Sequence, residues 1–514
     1  MNVRPAVLDP GTGSPCLDGI AGPRMCLCEE AFHGDVDRPM LDALWASLCR
    51  FDLDTLLLKL SSLQCALEQG GALSCQAEIT ILLAIGHAWH DDPDRALFAA
   101  GKLLADGCRR RFRPALHTLL RYCYWRTRQF HAFYELSRPR SAGTHARTVL
   151  SEVLNLSIEA VAEAEQLRFK LAERLAKNAL ELAGPANGAN ANAALLATCV
   201  QAGLAYEMGA LDEADLLLRG KLPCIEQCGS AECAVLGFVV AAKISAAQGN
   251  AKLSAMVLSR GMQLGMVRRW PRLLAHCAAD QIALHLALGE VLAAQALLAR
   301  VECRMTSLSG NARPRPTDVA PLDLARQRIA LVRREHAPAI VGLTRLRELA
   351  QDWNHPALVM RLTMVLAGAL HGAGRQDEAR NELLAALRAG ADAGVFRTFL
   401  DEMPLIESCL RDVRSALGGR LWHLNPYISS MLAANPGLPE PRRASARPAA
   451  GNLLSAKETI ILRLISVGLS NKNIARELHI APETVKSHAK RIFIKLSAKT
   501  RAEAVARASE FDLI

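Results

Sequence analysis

A small residue recurs five positions after a break between helices along most of this chain. The sharpest members of the series are Gly209 with Ala214, Gly249 with Ser254, Gly289 with Ala294, and Gly374 with Ala379. Weaker members are Asp91 with Ala96, Thr127 with Ala132, Leu167 with Ala172, and Arg334 with Ala339. Gly209, Gly249 and Gly289 are 40 residues apart. Because two antiparallel helices approach closely only where side chains are small, each member predicts a helical hairpin, and the series predicts a stack of hairpins.

The period of the series indicates the class of fold. Two helices in about 40 residues are typical of α-solenoids of the tetratricopeptide or HEAT type. The composition agrees, because the chain is 51% apolar but only 4% aromatic, as expected of packed helices. We therefore predict an all-α chain, with an α-solenoid of helix-pair repeats over residues 39–434.

Two stretches break this pattern. Residues 1–38 are rich in proline, glycine and aspartate and have no sustained period, so they are predicted to form a mobile tail. Residues 435–452 contain four prolines, two glycines and three arginines in 18 positions, which is typical of an extended linker. Residues 453–514 follow this linker as a separate small domain.

The last 62 residues carry helix-capping signals at short intervals. The predicted helix starts are Ser455 with Glu458, Ser470, Pro482, and Thr500 with Glu503, and Gly468 is a predicted helix end. Serine and threonine three positions before glutamate form capping boxes, proline suits the first position of a helix, and glycine suits its end. These signals divide the domain into four short helices.

The apolar positions of this domain converge into one core, and its third helix keeps a basic outer face. Short amphipathic helices joined by tight turns are typical of a helix-turn-helix domain, in which the helix from Pro482 enters a DNA groove. The positions that share the outer face of that helix are Glu483, Lys486, Ser487, Lys490 and Arg491. Residues 453–514 contain eleven Lys and Arg and six Asp and Glu. Their net charge of +5 is half of the net charge of the chain, which is +10. The sequence therefore predicts duplex DNA as a partner.

The segment GLSNKNIARELHIAPETVKSHAKRIFIKL resembles the DNA-binding domain of the LuxR family of bacterial transcription regulators. The resemblance implies a four-helix LuxR-type helix-turn-helix domain over residues 453–514. It implies base contacts from Lys486, Ser487 and Lys490. It implies phosphate contacts from Ser470, Asn471, Lys472, Thr484, His488, Arg491 and Lys495. Ala481 departs from the family, which usually has a capping serine at this position.

The helical region resembles the sensor part of MalT-type regulators. Phrases such as EMGALDEADLLL and GAGRQDEARNELLAAL are similar to tetratricopeptide repeats. The combination implies a regulator whose repeats sense an unidentified protein or small molecule and control the DNA-binding domain. No Walker motif occurs in the sequence, so the nucleotide-binding switch of MalT-type proteins and its ATP-gated oligomerisation are not expected.

The LuxR resemblance also implies a homodimer on DNA. LuxR-type domains usually bind two-fold half-sites, and one small domain buries too little surface for tight binding alone. The last helix is the expected dimer seam, with Val505 and Ala508 as candidates beside Ile494.

Patterns typical of catalysis or metal binding are missing from the sequence. It contains no G-x-S-x-G or H-E-x-x-H motif, so we expect no enzymatic activity, cofactor or metal. Cys224, Cys228 and Cys233 lack the paired spacing of a structural zinc site, and their redox role is left open. We also find no signal peptide and no run of about 18 uncharged apolar residues, which predicts a cytoplasmic protein without a membrane span.

The scattered polar residues of the helical region have simple structural interpretations. His336, His355 and His371 are expected at the surface or at helix ends. The run of His90, Asp91, Asp92 and Asp94 is expected to form a solvated turn between two helices.

Two classes of function remain open. The first is a sequence-specific, DNA-binding transcription regulator. The second is a helical-repeat interaction scaffold whose helix-turn-helix contacts protein, or a promoter reader similar to region 4 of sigma factors. The sigma interpretation lacks an aromatic, basic region for promoter melting, and a scaffold would show no salt-dependent affinity for DNA.

Overall fold

The computed structural model describes residues 38–50, 59–60, 76–105, 112–136, 146–184, 190–309, 315–416, 424–434, 456–478, 482–495, 498 and 500–510. The predicted tail and linker lie outside these ranges, apart from Arg38, and so does Ser455 of the first predicted capping box. Every regular element within these ranges is a helix, which confirms the predicted all-α fold. In the part of the chain that is described, no helix combines the length and the apolar character needed to cross a membrane.

The helices of the repeat region follow one another in pairs. In chain order they are α1 (Arg38–Arg50), α2 (Gln76–Trp89), α3 (Pro93–Ala105), α4 (Arg113–Arg126), α5 (Phe130–Glu135), α6 (Ala146–Glu165), α7 (Phe169–Ala183), α8 (Leu195–Glu207), α9 (Leu211–Leu218), α10 (Leu222–Cys228), α11 (Ala231–Ala247), α12 (Ala251–Val267), α13 (Pro271–Ala287), α14 (Val291–Ser309), α15 (Pro316–Val332), α16 (His336–Asp352), α17 (Pro356–Gly372), α18 (Gln376–Ala393), α19 (Arg397–Asp401), α20 (Met403–Ala416) and α21 (Asn425–Ala434). The pairs begin with α2 and α3, and α10 is a short insertion between the fourth and fifth pairs. The described residues form eight pairs, as the repeat series predicts.

The turn inside each pair explains the spacing seen in the sequence. The turn residue adopts a left-handed backbone conformation, in which glycine is free of strain, and φ is +83° at Gly209 and +79° at Gly374. Leu167 and Arg334 adopt the same conformation without being glycine, at 59° and 64°. The residues five positions after the turns are almost completely buried, namely Ala96, Ala172, Ala214, Ser254, Ala294, Ala339 and Ala379. Small residues therefore stand where the two helices of a pair cross.

The second pair, α4 and α5, departs from the predicted register by one residue. Its left-handed residue is Arg128, with φ of 62°, because Thr127 still completes the preceding helix by donating its backbone N–H to Cys123 O at 2.8 Å. Five positions after Arg128 lies Phe133, which is 0% exposed, whereas Ala132 is partly exposed. The predicted pairing of Thr127 with Ala132 is therefore wrong, and an aromatic side chain replaces the small residue in this unit.

The pairs wind into a superhelix whose second turn lies on its first. Arg126 Nη2 donates to Asp318 Oδ1 at 3.2 Å across a sequence separation of 192 residues. Gln166 Nε2 donates to Asn354 O at 2.7 Å across 188 residues. Solenoid units usually contact only their neighbours in sequence. Here, in contrast, α4 of the second pair contacts α15 of the seventh pair, so units that are far apart in the sequence also pack together.

Five charged residues form a buried ionic group between the two turns, which we call the inter-turn cluster: Asp91, Arg126, Arg272, Arg315 and Asp318. Arg126 Nη2 lies 3.0 Å from Asp91 Oδ1, and their side chains are 2% and 0% exposed. Arg272 Nε lies 3.5 Å from the other oxygen of Asp91. Arg315 donates from Nε to Asp318 at 3.1 Å and from Nη2 to Asp91 O at 2.9 Å. The predicted solvated turn is therefore wrong for Asp91, which is one of the most deeply buried charges of the chain.

Two more carboxylates, the buried Glu402 and the partly buried Glu165, join distant helices. Glu402 accepts hydrogen bonds from Arg328 Nε at 3.1 Å and from Arg361 Nε at 2.9 Å. Burial alone raises the pKa of Glu402, but these two guanidinium groups outweigh burial and lower it to about 2. Glu165 lies 2.5 Å from Arg128 Nη1 and 3.6 Å from His355 Nε2. Burial raises the pKa of Glu165 as well, and Arg128 and His355 together lower it to about 2.

These shifts predict that acid destabilises the helical repeats. The folded-state pKa values of Glu165 and Glu402 are about 2, against 4.5 for a free glutamate, and burial lowers the pKa of His355 from 6.5 to about 4. Between pH 6.5 and 2 the unfolded chain therefore binds more protons at these groups, and the free energy of unfolding falls as the pH falls. The urea midpoint, followed by circular dichroism, should drop from pH 7 to pH 5 and drop further at pH 4.

His355→Asn is the matched variant for this prediction. Asparagine keeps a side-chain acceptor at the start of α17, where His355 Nδ1 accepts from Leu358 N at 3.3 Å. The variant should lose part of the pH dependence between 6.5 and 4 while keeping the part below pH 4. An unchanged urea midpoint from pH 7 to pH 4 in the parent chain would contradict the prediction.

Candidate nucleic-acid interface

Four short helices form the C-terminal domain: α22 (Ala456–Ser466), α23 (Asn471–Glu477), α24 (Pro482–Lys495) and α25 (Arg501–Glu510). Gly468, with φ of +87°, ends the first of them. Ser470 Oγ accepts from Asn473 N at 3.3 Å and caps the second. Thr500 Oγ1 accepts from Glu503 N at 3.2 Å and caps the fourth. The helix boundaries predicted from these residues are confirmed.

The core of the domain fixes which face of α24 points outward. The buried residues come from all four helices and from the segment before α25, and they are Ile461, Leu462, Ile465, Ile474, Ala475, Val485, Ala489, Ile492, Ala498, Ala504 and Ala508. Val485, Ala489 and Ile492 lie three or four residues apart on α24, so they share one side of that helix. The opposite side is left for solvent or a ligand.

The predicted base-contacting residues lie on that opposite side. Lys486, Ser487 and Lys490 are all exposed. Lys486 Nζ lies 3.5 Å from Glu483 Oε2, but both side chains are largely exposed, so this pair is weak and readily broken by a phosphate. Lys490 makes no ion pair with any residue that the structure describes. The side chains are thus free to contact a partner.

The predicted phosphate contacts fall into three groups. Ser470, Lys472 and Thr484 are exposed near the starts of α23 and α24, where the helix dipoles favour anions. His488 is partly buried, and its Nδ1 is a buried atom without a hydrogen bond to any described residue. Asn471 is partly buried and accepts a hydrogen bond from a neighbouring arginine. Arg491 and Lys495 belong to α24, but their side chains lie outside the described part of the structure.

Arg501 is a structural residue that the sequence interpretation missed. Its Nη1 donates to Asn471 Oδ1 at 3.3 Å, and its Nη2 donates to Leu469 O. Arg501 therefore fixes the turn before α23 against the start of α25. The only sequence signal was its position beside the capping residue Thr500, and that signal does not identify a partner 30 residues away.

The two candidates for a dimer seam occupy different environments. Val505 is partly exposed, whereas Ala508 is fully buried in the core of the domain. Of these two residues, only Val505 offers surface to a second copy. The side chain of Ile494 lies outside the described part of the structure.

The cysteine group singled out in the sequence is split between surface and interior. Cys224 is exposed, Cys228 is partly buried, and Cys233 is buried with its Sγ 3.6 Å from Cys199 Sγ. The contact with the Cys199 thiol, together with burial, raises the pKa of Cys233. A neutral buried thiol is a poor nucleophile, so Cys233 acts in the described structure as a small apolar residue.

Two family models match the chain, one over most of its repeat region and one over its C-terminal domain. The model of the MalT-like TPR region matches residues 132–416. The model described as bacterial regulatory proteins of the luxR family matches residues 452–508.

Three curated relatives are similar to parts of the chain. The chain is 32% identical over 162 residues to the HTH-type transcriptional regulator AlkS of Pseudomonas putida, covering 30% of this chain and 17% of AlkS. It is 26% identical over 204 residues to the HTH-type transcriptional regulator MalT of Cronobacter sakazakii, covering 36% of this chain and 22% of MalT. It is 35% identical over 126 residues to the nitrate/nitrite response regulator protein NarL of Escherichia coli, covering 24% of this chain and 52% of NarL. The aligned parts therefore span about a fifth of AlkS and MalT and about half of NarL.

Proposed function

The chain belongs to the family with a MalT-like TPR region and ends in a regulatory domain of the luxR family, and from this premise we propose that it is a sequence-specific, DNA-binding transcription regulator. In this proposal α24 enters the major groove of duplex DNA. Lys486, Ser487 and Lys490 contact base edges there. Ser470, Lys472 and Thr484 contact the phosphates on either side.

The main support for the proposal is that α24 has one buried apolar side and one exposed basic side. One side holds the buried residues Val485, Ala489 and Ile492, and the other holds exposed lysines. A rigid helix that projects from a small core with a basic outer face matches the width and the charge of the major groove. The names of AlkS and MalT as HTH-type transcriptional regulators support the same function.

The helical repeats form the sensing part of this proposal. Their second turn lies on the first and encloses the axis of the superhelix, so a bound protein or small molecule would alter contacts between segments about 190 residues apart. We propose that such binding controls whether the C-terminal domain engages DNA, and that the domain binds as a homodimer with Val505 at the seam.

Selection of bound sequences from a random duplex pool by the full chain tests this function directly. A regulator should enrich one motif, with two-fold symmetry if it binds as a dimer. The affinity for that motif should fall steeply with salt, since bound phosphates release counterions. Recovery of no motif, together with no salt-dependent affinity for any duplex, would instead favour a protein-contacting scaffold.

Lys472→Ala tests the phosphate-contacting role separately. Lys472 is exposed at the start of α23 and should neutralise one phosphate. Its loss should weaken binding to all duplexes alike and reduce the slope of log affinity against log salt by about 1. A mobility-shift titration at several salt concentrations measures both quantities, and a loss confined to the selected motif would contradict the assignment.

A further inference from the structure

The axis of the superhelix contains a cavity of about 350 Å³. The first helices of successive pairs supply its wall, from α6 through α8, α11, α13 and α15 to α17. Cavities of roughly 300–1,000 Å³ are the usual size of small-molecule sites. The space is therefore large enough for an organic molecule.

Much of the cavity wall is apolar. Branched aliphatic side chains and one methionine contribute to it, among them Val161, Val200, Leu204, Val235, Leu324 and Met360. Such a wall stabilises an apolar body by removing it from water.

Two polar side chains on the cavity wall have no hydrogen-bonding partner among the described residues. His276 and Asp280 lie one turn apart on α13, both line the cavity, and both are partly buried. Neither makes a hydrogen bond or ion pair with another residue in the described ranges, whereas Glu165 and Glu402 are fully paired. Burial and the nearby Arg272 lower the pKa of His276 to about 3, so its ring is neutral and presents one donor and one acceptor.

The charges on and beside the cavity wall balance in two groups. The first group sets Lys243, Arg328, Arg361 and Arg397 against Glu207, Asp280, Asp401 and Glu402; its ion pairs involve Asp401 and Glu402, while Asp280 interacts electrostatically with Arg361 and Glu207 with Lys243. The second group is the inter-turn cluster with Glu232, which has three arginines and three carboxylates. An ion that entered would lose its hydration and find no uncompensated charge to replace it, whereas an uncharged molecule avoids that cost.

We propose that this cavity binds a small uncharged molecule with an apolar body and a hydroxyl group, which donates to Asp280 and accepts a hydrogen bond from His276. The hydroxyl supplies the hydrogen bonds that His276 and Asp280 do not make with the described residues, and the body packs against the aliphatic side chains of the wall. The inference deepens the proposed function by naming the chemical class that the repeats sense, and the regulatory meaning of the site rests on that function.

Isothermal titration calorimetry with three matched probes tests this inference on the full chain. The probes are 4-phenylbutan-1-ol, 4-phenylbutanoate and 4-phenylbutylammonium, which share one apolar body and differ in charge. The alcohol should bind at least about tenfold more tightly than either ion. Asp280→Asn should weaken the alcohol about tenfold, because a hydrogen bond to a charged acceptor is lost. Asp323→Asn, which removes an exposed carboxylate on α15, is the control and should leave the affinity unchanged.

A second variant tests the location of the site. Gly203 lines the cavity, and a Cβ at this position would meet only Val240 Cγ2, at 3.7 Å. Gly203→Leu should therefore occupy the cavity and abolish binding of the alcohol, while circular dichroism confirms that the helices remain. Preference for either ion, binding that survives Gly203→Leu, or no binding of the alcohol would overturn the inference.

The calorimetry contains no DNA, so it tests the binding site independently of the proposed DNA-binding function. Alcohol binding with the expected variant effects establishes the site. A change in the affinity of the full chain for its selected motif when the alcohol is added supports sensing. An unchanged DNA affinity would leave the site standing and contradict its sensing role.

Discussion

Replacement of Arg126 by methionine is expected to lower the free energy of unfolding of the helical repeats by about 3–5 kcal/mol. Arg126 is 2% exposed and bonds to Asp91 and Asp318, which belong to different turns of the superhelix. Its removal leaves two buried carboxylates with fewer counter-charges, and methionine replaces only the aliphatic part of the side chain. Urea denaturation followed by tryptophan fluorescence measures the loss, since Trp125 adjoins the site.

Two further variants separate charge from packing in this prediction. Arg326→Met removes an arginine of the same size that forms exposed pairs with Asp323 and Glu302, and it should cost less than about 1 kcal/mol. The double variant Arg126→Met with Asp318→Asn should recover part of the lost stability, because Arg272 and Arg315 then face two carboxylates, Asp91 and Glu232, instead of three. If Arg126→Met were no more destabilising than Arg326→Met, the inter-turn cluster would not stabilise the superhelix.

Lys490→Ala is expected to weaken binding to the selected DNA motif by about 1–3 kcal/mol, which is roughly 5- to 150-fold. Lys490 is exposed on the outer side of α24, two turns after the start of that helix, and has no partner among the described residues. A lysine that donates to a guanine edge discriminates between bases, so the loss on the motif should exceed the loss on unrelated duplex DNA. Mobility-shift titrations of both duplexes at one salt concentration measure the difference.

The control for this second prediction removes a positive charge far from the domain. Lys252→Ala alters an exposed lysine on α12 and should change neither affinity measurably. Equal losses on the motif and on unrelated DNA would place Lys490 against a phosphate instead of a base. No loss at all would remove α24 as the reading helix.

Local signals were sufficient to predict the elements of both regions. A capping residue and its partner lie within three positions of each other, as at Ser470 and Thr500, so a short stretch of sequence contains the whole interaction. The basic face of α24 could be predicted for the same reason, because helical periodicity alone separates Lys486 and Lys490 from Val485. The repeat series was visible where glycine marks the turn, as at Gly209.

Contacts between distant segments could not be predicted in this way. Even the turns at Leu167 and Arg334 were only weak members of the predicted series, because neither residue type favours the left-handed conformation found there. In the sequence Asp91 has the surroundings of a solvated turn residue, but in the structure Arg126 and Arg272 contact it from other helices. Nothing near Asp91 in the sequence indicates that a helix more than 200 residues later covers it.

The stacking of one superhelical turn on the next also restricts how such a chain can change in length. A repeat protein with contacts only between neighbours accepts the duplication or loss of a unit at little cost. Here the removal of one helix pair would displace everything after it and would carry Asp318 away from Arg126. Natural variants of this protein should therefore differ in their loops and helix ends far more readily than in their number of pairs.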